Sequence, residues 1–549
     1  MRHEGKPRSG SAAGPRHGKS RRRTGLLLLP TAFLAATGGL IAAFLLTRQH
    51  SPIANTASTV LPARTWFAPY VDVTAGSDYE FQASFLNPAR QVVLGFVDAQ
   101  SSACAPEWGG SRSLDSAATS LDLDRRIRQF QVSTGDVIVS FGGSRATDLA
   151  DACHDPASLA GAYAKVIGRY HLHTVDIDVR GSQLLDTAAI RRSGLAIAAL
   201  QRSMEAQRSS LAVWLTLPCE PSGMEADALA VVQSMLAAGV RLAGVDVLAM
   251  DFGTPSDPPA DMGIAVEQAL WAVHAQLEVV YRRAGEELTS RSAWAHLGAT
   301  VMIGANDIPG ETITLGDATS IVADAAREGL GRLSMLSLNR DLPCAQGSDR
   351  SSTAAGAIGA SGASGASGTA ASPPTATPPA CTGVAAKTLA YAQIFARLPG
   401  TTGSTRPAPT VVPQLTSGSI PYPVWRHGET YHAGYKVVWT EDVYQAKWFT
   451  GLSMPGARVA HPWLTPWLLL GPVLPHEHPP TTTTLPPGTY PSWSPTAVYQ
   501  KGHKVLYLGL PYIAAYWNKG VVPQPNPLDV SSAAWRPLFA LPGEPRSSG

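Results

Sequence analysis

The stretch Val175-Asp176-Ile177-Asp178-Val179-Arg180-Gly181 alternates apolar and charged side chains. A β-strand sends successive side chains to opposite faces, so Asp176, Asp178 and Arg180 share one face, between apolar Val175, Ile177 and Val179 on the other. Two carboxylates facing an interior are costly unless they are paired or used. The C-terminal end of a strand is also where β/α barrels place their chemistry. The bland alternative is a structural Asp–Arg network inside the barrel. Working outward, seven further apolar runs lie at residues 67–73, 92–98, 137–143, 213–218, 245–253, 299–305 and 333–339. They are rich in Val, Ile, Leu or Phe, as strands buried on both faces are. Helix-length segments at 121–132, 156–170, 188–207, 226–238 and 262–283 lie among them. Eight strands with intervening helices over residues 65–398 predict an α/β fold, a (β/α)8 TIM barrel. An open doubly wound sheet is the alternative, and the count of eight argues against it.

Upstream of the barrel, the chain is basic over residues 1–23, where Arg2, Lys6, Arg8, Arg16, Lys19, Arg21, Arg22 and Arg23 face a lone Glu4. An uncharged apolar stretch follows at 24–47. Its length, roughly 24 residues or about 36 Å as a helix, is enough to cross a bilayer. The apolar core of a cleaved signal is usually only about 7–15 residues. The segment therefore reads as a signal-anchor, a single transmembrane helix with the basic tail in the cytoplasm and everything after it outside. A secreted form follows if the segment is cleaved. Residues 48–64 form a polar stem. The net charge of +2 over 549 residues gives no field that would argue for nucleic acid. The five cysteines suit an oxidising compartment. Their spacing suggests bridges Cys104–Cys153 and Cys344–Cys381, each bracketing a loop-rich region, with Cys219 left over. Residues 351–379, almost wholly Ala, Gly, Ser, Thr and Pro, lie inside the second loop and are expected to be a disordered insertion.

Linkers at 399–419 and 475–487 bound two modules, 420–474 and 488–545. Adding 68 to the numbering carries Tyr422-Pro423 onto Tyr490-Pro491, Trp425 onto Trp493, and Tyr431 onto Tyr499. It also carries Gly434 onto Gly502, Lys436-Val437 onto Lys504-Val505, Tyr444 onto Tyr512, Ala446 onto Ala514 and Trp467 onto Trp535. These are two copies of one small all-β domain built from short strands around Trp and Tyr. Trp425, Trp467, Trp493 and Trp535 read as core.

The motifs resemble known families. Ser140-Phe141-Gly142-Gly143 resembles the SxGG motif of glycoside hydrolase family 18, the chitinase family. Residues 173–180 resemble its DxxDxDxE signature, and Met250-Asp251-Phe252-Gly253 its sixth-strand Met-Asp-Tyr-Gly. Met302-Ile303-Gly304-Ala305-Asn306-Asp307 and Ser337-Leu338-Asn339-Arg340-Asp341 resemble strands seven and eight of a bacterial secreted branch. The two repeats resemble chitin-binding modules of carbohydrate-binding families 5 and 12. Tyr444-Gln445-Ala446-Lys447-Trp448-Phe449 and Tyr512-Ile513-Ala514-Ala515-Tyr516-Trp517 stand at their Tyr-x-Ala-x-Trp-Trp core. The resemblance implies that Trp448, Phe449, Tyr516 and Trp517 are ligand contacts, since such sites stack flat aromatic faces on the apolar faces of pyranose rings.

The departures from the family pattern carry the functional expectation. The resemblance implies a general acid Glu at the end of the signature; this chain has Arg180 there, and an arginine that stays protonated cannot act as that acid. Asp178, the residue that orients the substrate's N-acetyl group by resemblance, is retained, as is Asp176. His173 stands for the first Asp. Phe252 stands for a Tyr that holds the acetamide, and Leu336 for the Trp that floors the sugar site. Met250, Asp251 and Phe252 are counted with Asp178 as substrate-binding. Glu220, after the fifth strand, is either a surface carboxylate, an ion-pair partner of Arg180, or a relocated acid. No metal-ligand cluster and no cofactor motif stands out. The expectation is a tethered binding protein for chitin-like, N-acetylglucosamine glycans with a degenerate barrel. The alternatives are an active chitinase with another acid such as Glu220, and a peptidoglycan-attachment protein.

Overall fold

The structure, a computed structural model, describes residues 65–74, 79–100, 102–133, 135–143, 146–254, 256–344, 381–398, 421–475, 477, 484–523 and 533–539. The basic tail, the apolar stretch at 24–47, the stem, the insertion at 351–379 and the linker at 399–419 lie outside the described residues. Among the described residues no helix is long and apolar enough to cross a membrane.

Eight parallel strands close on themselves. They are β1, in two parts at Trp66–Phe67 and Tyr70–Asp72, then β2 (Gln91–Ala99), β3 (Asp136–Gly142) and β4 (Thr174–Asp178). They continue with β5 (Ala212–Pro218), β6 (Leu242–Leu248), β7 (Leu297–Met302) and β8 (Arg332–Leu336). The first part of β1 pairs with β8 and the second with β2, both in parallel, so the sheet has no free edge between its first and last strands. Helices α1 (Leu123–Val132), α2 (Pro156–Tyr170), α3 (Thr187–Ala206), α4 (Ala226–Ala237), α5 (Met262–Arg283) and α6 (Leu315–Glu328) alternate with the strands. Side chains such as Val175, Ile177 and Val179 pack outward against them in one large core. This is a closed (β/α)8 architecture.

Both expected disulfides form, Cys104–Cys153 and Cys344–Cys381, with Cα–Cα separations of 4.6 and 5.1 Å. Cys219 is free and buried, and burial pushes its thiol well above the ordinary range.

The two repeats fold alike. The first is a three-stranded antiparallel sheet of β9 (Lys436–Trp439), β10 (Asp442–Ala446) and β11 (Trp467–Pro472). The second repeats it with β12 (Lys504–Tyr507), β13 (Leu510–Ala514) and β14 (Trp535–Pro537). The pairing Tyr431–Thr450 recurs as Tyr499–Asn518, and the Trp467 indole bond to the Ser453 carbonyl recurs from Trp535 to Val521. The cores use the same positions: Trp425, Tyr431, Val437, Ala446 and Trp467 in one, Tyr499, Val505, Ala514 and Trp535 in the other. Trp493 is half-buried and packs against the second core.

The first module is seated on the outside of the barrel. Asp122, which opens α1, accepts hydrogen bonds from the Tyr422 hydroxyl (3.2 Å) and from the Lys436 ammonium. Arg125, one turn on, is buried, donates to the Pro472 carbonyl (2.6 Å) and pairs with Glu477. Val438, Val443, Leu468, Leu470 and Val473 form an apolar cluster against Ala83 and Phe85. At Gly471 a Cβ would fall 2.8 Å from the Arg125 carbonyl oxygen, so only glycine admits this approach.

Candidate functional site

The register of β3, β4 and β5 sets Ser140, Asp176 and Trp214 side by side, and Gly142 beside Asp178 and Thr216. Asp176 is fully buried and fully partnered. One carboxylate oxygen accepts from Tyr70 (2.8 Å) and Ser140 (2.7 Å), the other from Thr216 (2.7 Å) and Arg332 (2.7 Å). Arg332 also donates to Ser334 (2.9 Å) and lies over the rings of Trp66, Tyr70 and Trp214. A second buried carboxylate, Asp246, stands 3.8 Å from it; burial pushes that carboxyl up to about 7, against the pull of Arg332. Asp176 is therefore the fully partnered hub of an interior Asp–Arg network, which the sequence offered as the alternative for this strand face.

Two residues on, the surroundings change. Asp178 is fully buried and grips Arg180 with both oxygens, one from the guanidinium Nε at 2.8 Å and the other from Nη2. Burial pushes the Asp178 carboxyl up, and the guanidinium pulls it back. For Arg180, burial works against the charge, but the Asp178 carboxylate more than offsets it and holds the group protonated. Above the pair, the glycines have a steric reason: a Cβ on Gly142 would fall 2.3 Å from the Asp178 carbonyl oxygen, and the Gly143 amide donates to that oxygen (3.0 Å). A small cleft opens at this rim, lined by Asp72, Thr74, Phe96, Asp98, Gly109 and Gly142.

Of the alternatives weighed for Glu220, the ion pair with Arg180 does not form in this structure, and Phe252 is not placed as a substrate-binding reading expects. Arg180 pairs with Asp178, and among the described residues Glu220 makes no ion pair. Glu220 is half-buried in a tight turn with Gly223, its carboxyl pushed up by burial and by the neighbouring Glu225. Phe252 is fully buried and belongs to the outer core, so in this arrangement its ring has no face to offer a sugar. Chain direction explains this. Asp251 takes a left-handed φ of 52°, which breaks the strand alternation just before Phe252. Met250 and Leu336 do face the barrel interior, in a cluster with Phe96 and Met302.

Asp251 opens onto a group absent from the sequence reading. Its carboxylate accepts from the Asp307 amide (2.9 Å), and its second oxygen has no partner. Glu311 accepts from the Phe252 amide (3.0 Å) while its other oxygen is unpartnered. Burial, aided by Asp251, pushes Glu311 up to about 8 and Asp307 up to about 7. Among the described residues no group of His, Cys, Asp or Glu is placed to hold a metal ion.

In the modules, Trp448 and Phe449 are 45% and 60% exposed, Tyr516 and Trp517 47% and 58%, whereas Trp425, Trp467 and Trp535 are buried. An exposed Trp that the repeat comparison does not reach is Trp463, at 56%.

No protein-family model matches the chain. Over 294 residues it is 30% identical to the "Probable bifunctional chitinase/lysozyme" of Escherichia coli (strain K12), a match covering 51% of this chain and 32% of that protein. Over 306 residues it is 29% identical to "Endochitinase 11" of Metarhizium anisopliae, covering 53% and 56%. The chain thus spans about a third and about half of these two relatives. Among solved structures, it is similar to the catalytic domain of a hyperthermophilic chitinase from Pyrococcus furiosus, at 23% identity over 63% of this chain and 99% of that one, with a TM-score of 0.49. A GH18 chitinase from Pseudoalteromonas aurantia gives 15% identity over 50% and 94%, with a TM-score of 0.36. About half of the chain is thus similar in sequence to these two chitinases.

Proposed function

We propose that this chain is a membrane-anchored, extracytoplasmic binding protein for β-linked N-acetylglucosamine glycans, with a barrel that no longer hydrolyses them. The observation that carries the reading is the Asp178–Arg180 pair. In the chitinase resemblance, Arg180 occupies the position of the group that protonates the leaving oxygen, and this guanidinium holds its proton. Both oxygens of Asp178, which by resemblance would orient the acetamide, are taken up by the same guanidinium. A positioned acid contributes about 10²–10⁴-fold, and that contribution is missing here. The exposed aromatics of the two modules supply the binding surface.

One observation favours a second reading. Glu220 follows β5 at the same rim, and burial and the neighbouring Glu225 push its carboxyl up. The same site would then be an active chitinase with a relocated acid. Peptidoglycan shares the sugar, so wall attachment by the same modules is the third arrangement.

The test uses the full chain. It should be retained on insoluble chitin or purified cell wall while releasing no product from chitin oligomers above background. Turnover abolished by Glu220→Gln would establish the second reading in place of the first. For the anchor, protease added to intact cells should remove the barrel and modules and leave an N-terminal stub in the membrane. Protein free in the medium with a new N-terminus beyond Thr47 would overturn that part.

A further inference from the structure

Trp463 sits in a short turn, Pro462–Leu464, and its ring lies flat on the imidazole of His461, with centroids 4.5 Å apart and planes 4° from parallel. One face of the indole is therefore backed, and with 56% of the residue exposed the other is open. The turn is tied to the known aromatic strip by one residue. The Lys447 ammonium donates to the carbonyls of Pro462 and Trp463 (3.3 Å each) and lies 4.8 Å from the ring centroid of Trp448. The backbone agrees, since the Lys447 amide donates to the Pro466 carbonyl (2.7 Å). Next along the strip, Phe449 packs against His432 at 5.4 Å. Trp448, Phe449 and Trp463 thus belong to one continuous exposed surface.

The second copy differs in sequence at these positions: the 68-residue offset places Ala515 at Lys447, Asp529 at His461 and Ser531 at Trp463, the last two lying outside the described residues.

We infer that Trp463, backed by His461 and fixed through Lys447, is a third stacking platform, which lengthens the first module's site to take a further pyranose ring of a β-linked N-acetylglucosamine chain. The inference rests on the glycan-binding reading above. An indole pre-set by stacking loses little rotamer freedom on binding, so its contact area is expressed as affinity. The first module is then the longer and tighter of two unequal sites.

Depletion isotherms of the full chain on insoluble chitin, on purified peptidoglycan and on cellulose test this. Trp463→Ala should raise Kd about three- to tenfold on whichever N-acetylglucosamine polymer the parent binds, the span expected for one stacked ring. Trp463→Tyr should keep most of the affinity, and neither change should move Tm, because the ring is exposed. A loss on chitin alone or on both polymers identifies the source of the chain and supports the platform in either case. Parent-like binding by Trp463→Ala, or a loss as large with Tyr as with Ala, overturns it. If the parent itself binds none of the three polymers, the glycan-binding reading fails, and that outcome is distinct from a silent Trp463.

Discussion

Arg180 and Asp178 hold each other in a buried bidentate pair, so neither can be changed alone without leaving a charge stranded. Breaking such a pair by removing one partner costs about 3–5 kcal/mol. Arg180→Glu sets two carboxyls side by side, and like charges that close cannot both ionise, so one keeps its proton near neutrality. That restores a donor. It does not restore a floor for the sugar, because Leu336 still stands where the resemblance calls for Trp. We expect Arg180→Glu alone to stay at background in release of a chromogenic group from chitin oligomers. The double change Arg180→Glu, Leu336→Trp should be the first with measurable turnover, at about 1–3 kcal/mol of overpacking. Turnover by the single change would show that Leu336 matters less. Phe252→Tyr has no place in this design, since its hydroxyl would enter a closed apolar core. A second expectation at this scale concerns pH. Glu311 titrates near 8 in the folded chain against about 4.3 for an ordinary glutamate. A carboxyl raised on folding adds stability that is complete below the ordinary value and is lost as pH rises through the folded one. Each tenfold change in proton affinity is worth about 1.4 kcal/mol. Chemical denaturation of the parent should therefore show stability falling between about pH 4.5 and 8. Glu311→Gln, which keeps an acceptor for the Phe252 amide, should make that decline shallower. An unchanged slope would refute the assignment.

At the scale of elements, the barrel strands were legible because parallel strands covered on both sides carry unbroken apolar runs, and the alternation at Asp176, Asp178 and Arg180 marked a strand with a polar interior face. The partners of those residues were not legible. Arg332 reaches Asp176 across 156 residues of chain, and no local pattern announces that contact. Glu311 did not stand out in the sequence, because its burial and its bond to the Phe252 amide depend on the turn at Asp251. In the modules, the repeat separated core from surface well. Positions that keep Trp in both copies, such as Trp467 and Trp535, are interior, while Trp448 and Trp517 stand out. Trp463 escaped because a comparison of copies sees only what they share. Since Trp448 and Trp517 contribute little to either core, Trp448→Ala and Trp517→Ala should each weaken retention of the full chain on chitin several-fold with Tm unchanged. If both bind like the parent, the exposed strip is not the ligand surface.

For the whole molecule, the sequence suggested a barrel and two modules separated by linkers, yet the first module is built into the barrel's flank. Asp122, Arg125, Lys436 and Glu477 join across this contact into one network in which Asp122 and Arg125 are buried, with Tyr422 and the Pro472 carbonyl completing it. Removing the module would strand Asp122 and Arg125 and bare the apolar contact around Ala83 and Phe85. A charged group that loses its buried partner costs about 1–3 kcal/mol or more. Truncation after residue 487 takes away only the second module and should leave the barrel's Tm where it is. Truncation after residue 398 should lower it by several degrees, and Lys436→Met in the full chain should reproduce part of the loss. Equal Tm values for the two truncations would mean that the interface contributes nothing and the modules are independent of the barrel. The expected difference would mean instead that the first module is held at a fixed orientation on the barrel through Asp122, Arg125 and the apolar contact at Ala83 and Phe85.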